Sequence, residues 1–160
     1  VTYLSFPSSK DPNAEKTHPG FSTIEAITVA NWRDFSQWKD LPWKKRGEFY
    51  ENYKEELSQQ LLKTVYEHVP QAQDALDYYE LSTPLTVNSL ANYPEGEMYG
   101  IEHTPERFRQ RWLRPQTYIK NLFLTGQDML TVGVTSAMLS GFVTVSAILK
   151  KNLIKELLGK

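Results

Sequence analysis

Cysteine is absent from all 160 residues. That excludes disulfides, thiolate metal sites and a cysteine nucleophile, and it leaves the redox compartment open. A dominant charge is also lacking, since 18 Lys and Arg stand against 19 Asp and Glu for a formal net charge of −1. Without a basic field, nucleic acid is not an expected partner. The chain has no GxGxxG, no Walker sequence and no G-x-S-x-G elbow. It therefore encodes neither a phosphate cradle of the known glycine-rich types nor a hydrolase nucleophile turn. The three histidines, His18, His68 and His103, show no ligand spacing, which argues against a metal site. The opening VTYLSFPSSKDP has neither a basic start nor an apolar run, so it does not read as a signal peptide. It starts without Met, in what reads as a strand already under way, like a piece cut from something longer.

What is present is a mixture of strand-like and helix-like stretches without repeats. The chain is long enough to bury a real core. Val1 to Phe6 reads as a short strand, Pro7 to Gly20 as a loop, and STIEAITVAN (22–31) as a strand. WRDFSQWKDLPWKKRG carries Trp32, Trp38 and Trp43 with Pro42 inside, and is expected to be a loop with a short helical turn. Clustered Trp belongs more often to a core or an interface than to a cofactor box. Gly47 to Val69 is the clearest helix: Tyr50, Tyr53, Leu57, Leu61 and Val65 recur at spacings of three and four, and Pro70 ends it. His68 suits that helix's carbonyl end. A short helical piece follows at Gln71 to Asp77. Then YYELSTPLTVNSL reads as a strand that breaks at Pro84 and goes on as extended chain or a helix start, and Ala91 to Glu106 as a loop. His103 falls there as a surface residue or a neighbour of a pocket. RFRQRWLR (107–114) is expected to be a solvated amphipathic turn rather than a phosphate-binding or membrane-surface patch.

Two segments remain. NLFLT (121–125) reads as a compact apolar strand ending at Gly126. After it, Asp128 is followed by 21 residues without a charge, up to Lys150, with Gly133, Ser136, Ala137, Ser140 and Gly141 threaded through. The expected helix starts near Val132 and runs on through LKKNLIKELL. By length the run would span a bilayer, but six of its residues are Ser or Thr and two are Gly. Close packing of a buried helix explains small residues better. A third reading is a ligand-facing helix start. Gly126 and Gly133 let backbone approach closely, the N–H groups of residues 133 to 135 are free to point at an acceptor, and Asp128 accepts hydrogen bonds from sugar-like hydroxyls.

The segment RPQTYIKNLFLTGQDMLTVGVTSAMLSG resembles the carboxyl-terminal flavin-contacting segment of the phytoene desaturase-like flavoproteins, within them most closely the carotenoid isomerase and retinol saturase branch. The resemblance extends upstream in order, through a long helix ending in Pro, STPLT and GEMYGIEHTPERF. It implies an FAD-dependent oxidoreductase acting on a polyene, a carotenoid or retinoid. Gly126, Gln127 and Asp128 then match the turn at the ribityl–phosphate part of FAD. Gly133, Val134 and Thr135 match the helix start under the flavin ring. Tyr99 and Gly100 match the loop beside the substrate pocket, and no side chain stands out as an acid or base. The implied fold is α+β with a mostly antiparallel sheet and packed helices, the carboxyl-terminal portion of a two-part FAD/NAD(P)-binding flavoprotein. Residues 1–116 would belong to the substrate part and 117–160 to the flavin-contacting strand and helix, as a single structural unit.

The amino-terminal Rossmann half of that family, which cradles the FAD pyrophosphate, is absent. The expectation is that this chain alone neither retains FAD nor turns over, and that apolar surface left by the missing half promotes self-association. An apolar polyene substrate makes peripheral membrane association an expectation of the resemblance; the compartment, cytoplasmic or at a membrane, is not encoded. Two other readings stay open: a self-standing non-catalytic module for a hydrophobic ligand or a protein partner, and a fragment of an amine-oxidising flavoenzyme.

Overall fold

The computed structural model describes residues 1–159 and divides into two compact units, Val1–Glu97 and Met98–Lys160. In the first unit, strands β1 (Thr2–Ser5) and β2 (Glu25–Thr28) pair antiparallel, Thr2 opposite Thr28 and Ser5 opposite Glu25. Single helical turns α1 (Pro7–Lys10) and α2 (Ala14–Thr17) occupy the connection expected to be plain loop. The helical turn in the Trp-rich stretch is α3 (Trp32–Phe35), capped by the Asn31 side chain on the Arg33 N–H and continued by a 3₁₀ turn over Ser36–Trp38.

Helix α4 (Glu48–His68) follows the expected bounds and ends before Pro70, whose ring cannot continue an α-helix. Its apolar stripe buries Tyr50 and Val65. Beyond it, the YYELS stretch forms no strand, and α5 (Pro84–Ala91) starts at the Pro itself. Proline is pre-shaped for a first helical position. Thr83 and Thr86 complete a reciprocal cap, and Asn92 closes the helix in the left-handed region at φ 58°.

Phe35, Tyr50 and Leu85 form the core of this unit, with Trp32, Trp38, Tyr53 and Leu57 packed around it. The rings meet at centroid distances of 5.3 Å (Trp38–Tyr50), 5.6 Å (Phe35–Tyr53) and 5.7 Å (Trp38–Tyr53). Two of the three clustered Trp therefore belong to the core. Trp43 remains half exposed, beneath the Lys44 ammonium. The buried Tyr50 hydroxyl meets the Thr83 hydroxyl at 2.8 Å, and Arg46 donates to the Leu85 carbonyl and the Ser89 hydroxyl.

The second unit carries α6 (Pro105–Arg109), α7 (Val134–Leu149) and α8 (Leu153–Leu158). The expected strand at 121–125 does not form. Phe123 makes a single bridge to Gln116, and the chain folds back on itself through Leu124 N–H to Pro115 O at 2.8 Å. Apolar β-formers need a partner strand to become a ladder, and none pairs with them among the described residues. The expected continuous final helix is also corrected. Lys150 sits at φ 53° and its N–H closes α7 on Ser146 O, after which Asn152 caps α8 through the Lys155 N–H. The architecture is α+β, with one two-stranded antiparallel sheet and mostly helices among the described residues, so the sheet is smaller than expected. No helix among the described residues is long and apolar enough to cross a membrane.

Candidate functional site

The small-residue run is explained first by what α7 touches. Ser136, Ser140 and Thr144 recur every four residues and turn their hydroxyls to the segment before the helix. Ser136 meets the Thr131 hydroxyl. Ser140, fully buried, accepts the Gly126 N–H at 2.6 Å and donates to Ala137 O at 2.7 Å. Thr144 donates to Leu124 O at 2.7 Å. Hydroxyls bonded to backbone groups or to one another, rather than lipid contact, account for five of the six Ser and Thr residues of the run.

This ladder holds the turn over residues 126–133. Gly126 and Gly133 frame it at φ 99° and 103°, and a β-carbon at either would meet nothing within 4 Å. Their backbone is therefore open on one side, as close approach of a ligand requires. Gly133 precedes α7 without a side-chain cap, so the helix start keeps unpaired N–H character and the positive end of the dipole. Val134 and Thr135 lie exposed at that start, while Gln127 and Asp128 are half-buried.

Gly100, expected beside a pocket, lies against the same turn. It sits at φ 69°, and a β-carbon there would overlap the Asp128 carboxylate. Asp128 Oδ1 accepts the Ile101 N–H at 2.8 Å. One oxygen of the acid assigned to sugar hydroxyls thus already holds the 99–101 loop. Tyr99 projects from that loop, 61% exposed. Of the eight residues singled out from sequence, Gly100, Gln127 and Asp128 are brought into contact. Gly126, Gly133, Val134 and Thr135 line the turn and helix start, and Tyr99 flanks them.

Sequence reasoning missed Arg107, while His103 is exposed, as expected. Arg107 was expected on a solvated turn, yet it is 5% exposed. Its guanidinium donates to the carbonyls of Ile101 (2.9 Å), Gln127 (3.0 Å), Asp128 (2.7 Å) and Leu130 (3.1 Å). Thr104 caps α6 on the Arg107 N–H, and Pro105 sits at its first turn. The cap places Arg107 in the first turn of α6, but nothing in the string RFRQRWLR marks it as the inward residue. The other basic residues of the string, Arg109, Arg111 and Arg114, are exposed as expected. His103 lies between two donors, the Val132 N–H at Nε2 (2.9 Å) and Arg107 Nη1 at Nδ1 (3.0 Å). A neutral imidazole has one acceptor nitrogen, so the ring serves one donor at a time, and an imidazolium serves neither. Among the described residues no three His, Asp or Glu side chains gather as a metal site.

The chain is 36% identical over 156 residues, 96% of its length, to the all-trans-retinol 13,14-reductase of Danio rerio. It is 34% identical over 160 residues, 98% of its length, to the protein of the same name from Homo sapiens. The same 34% holds over 162 aligned positions, covering 99% of the chain, for a second Danio rerio protein named inactive all-trans-retinol 13,14-reductase. In each case the chain spans 26% of the relative's length. No family model matches it, and no solved structure does. The open turn, the uncapped helix start and the latched loop thus sit in a chain that is kin, from end to end, to the carboxyl-terminal quarter of the retinol saturases, phytoene desaturase-like flavoenzymes.

Proposed function

We propose that this chain is the carboxyl-terminal part of an FAD-dependent oxidoreductase that acts on a polyene of the retinoid or carotenoid type. The kinship over 96% of the chain to all-trans-retinol 13,14-reductases carries the reading. The two-part flavoprotein fold, with an amino-terminal dinucleotide-binding half, belongs to the same proposal. Bound FAD would supply hydride or electron transfer at its ring. The chain's residues fit one side of that cofactor. Gly126 and Gly133 leave backbone room, the α7 start would offer N–H groups and a positive end to the electron-rich edge of the ring, and Asp128 would accept hydrogen bonds from the ribityl hydroxyls. The pyrophosphate has no glycine-rich cradle here. Tyr99 and Gly100 would border the substrate.

The exposed apolar residues of α7, Val134, Met138, Val145, Ile148 and Leu149, support a surface covered by the rest of a larger protein. Left uncovered, it would promote self-association, and an apolar substrate favours a location at a membrane surface. The test adds FAD to the 160-residue chain and follows the yellow colour through gel filtration. Flavin should separate from the protein, and the protein should elute larger than a monomer; stoichiometric retention would contradict the half-site reading. In the full-length gene product, Asp128→Asn keeps an acceptor for Ile101 and should weaken flavin retention while the fold persists. Unchanged occupancy would remove Asp128 from the site.

A second reading is a non-catalytic module that keeps the fold and binds a hydrophobic ligand or a protein. It is favoured by the 34% identity to a relative named inactive. Turnover of all-trans-retinol by the full-length product separates the two.

A further inference from the structure

We infer that Arg107 is a positioning residue, a buried cation that gathers the carbonyls of the cofactor-facing turn and so turns that turn's N–H groups outward; this rests on the flavin reading above. Burying a guanidinium is costly unless its donors are satisfied. Here no carboxylate pairs with it among the described residues, where the ion pairs are Lys54–Glu51 and Arg109–Glu106. Compensation comes instead from four backbone carbonyls, three of them within residues 127–130, while Nε remains without a partner. A planar five-donor fork can collect carbonyls from several directions at once, which a lysine ammonium cannot match in geometry.

The consequence follows from peptide planarity. In a trans peptide the C=O of one residue and the N–H of the next point in opposite directions. Drawing the carbonyls of Gln127, Asp128 and Leu130 onto one cation sends the N–H groups of the following residues to the far side. Met129 N–H folds back to Gly126 O at 3.2 Å. By the same planarity, those of Asp128 and Thr131 are directed to the face away from the guanidinium. The same cation reaches the loop through Ile101 O. Loop and turn are thereby tied to one charge.

The experiment uses the full-length gene product with Arg107→Lys, Arg107→Met and, as a control on the same short helix, Arg109→Gln. We expect both Arg107 variants to exchange the Ile101 and Met129 amide protons at least about tenfold faster, to bind FAD at least about tenfold more weakly, and to show an altered visible circular dichroism of the flavin. That factor corresponds to about 1.4 kcal/mol. Arg109→Gln should match the unmodified protein in all three. A Lys variant with unchanged exchange, affinity and flavin spectrum would overturn the inference, because charge alone would then suffice. Should Arg107→Met fail to fold, Arg107→Lys decides. If the unmodified protein binds no FAD, the functional reading fails, yet the two amide exchange rates still test the clamp.

Discussion

Gly100 and Asp128 are 28 residues apart, yet the carboxylate occupies the place where any side chain at position 100 would begin. Gly100→Ala therefore meets two obstacles, overlap with the acid and a backbone at φ 69°. We expect a loss of about 1–3 kcal/mol. Gly126→Ala meets only the backbone obstacle, since nothing lies within 4 Å of its β-carbon position, and should cost about 1 kcal/mol. Chemical denaturation of the two variants side by side checks the order.

The hydroxyls of α7 yield a second expectation. Ser140→Ala leaves the Gly126 N–H without its acceptor, at about 1–3 kcal/mol. Thr144→Val preserves shape but frees the Leu124 carbonyl, at about 1 kcal/mol. Because both act on the same three-residue segment, the double variant should lose less than the sum. Strict additivity in a double-mutant cycle would mean the two contacts are independent.

In the first unit, Leu85 is fully buried between the aromatic rings. Leu85→Ala should destabilise by about 2–5 kcal/mol through the cavity it opens. Tyr50→Phe removes only the bond to Thr83 and should cost about 1 kcal/mol. Thermal unfolding of both variants measures the difference, and equal losses would contradict a packing-dominated core.

Acidity supplies a fourth. Tyr79 and Gln59 donate to the Glu55 carboxylate, at 2.7 and 2.6 Å, and hold its pKa below the usual glutamate range. The same bond from Tyr79 pushes the phenol above the usual tyrosine range. A depressed carboxylate contributes stability above its unfolded pKa and loses it as pH falls; a raised phenol contributes below its unfolded pKa and loses it as pH rises. The tie between α4 and the Tyr79 segment should thus hold across neutral pH and loosen at both extremes. In Tyr79→Phe the Glu55 resonance should titrate at higher pH, as a carbon-detected NMR titration would read; an unmoved midpoint would contradict the assignment.

How much of this was legible differs element by element. Helix α4 could be read because a stripe at spacings of three and four has no other use. Its terminator was read for the same local reason. Segment 121–125 could not, because strand character is completed by a partner that sequence does not name. The end of α7 was hidden because the apolar run that stops at Leu149 resumes at Leu153. Asn152 was the overlooked sign, as a capping residue ahead of LIKELL. The turn with Gly126 and Gly133 was legible as a place of close approach, whereas its support was not. A buried Arg and a solvated one look alike in RFRQRWLR, and only the contacts of Arg107 separate them.

Apolar side chains reach solvent on much of α7, so hydrophobicity alone gives that helix little reason to prefer one rotation about its axis. Ser136, Ser140 and Thr144 supply the preference. Like the teeth of a key, they admit a single angular setting against residues 124–131, and they fix which apolar residues are offered outward before anything arrives to meet them.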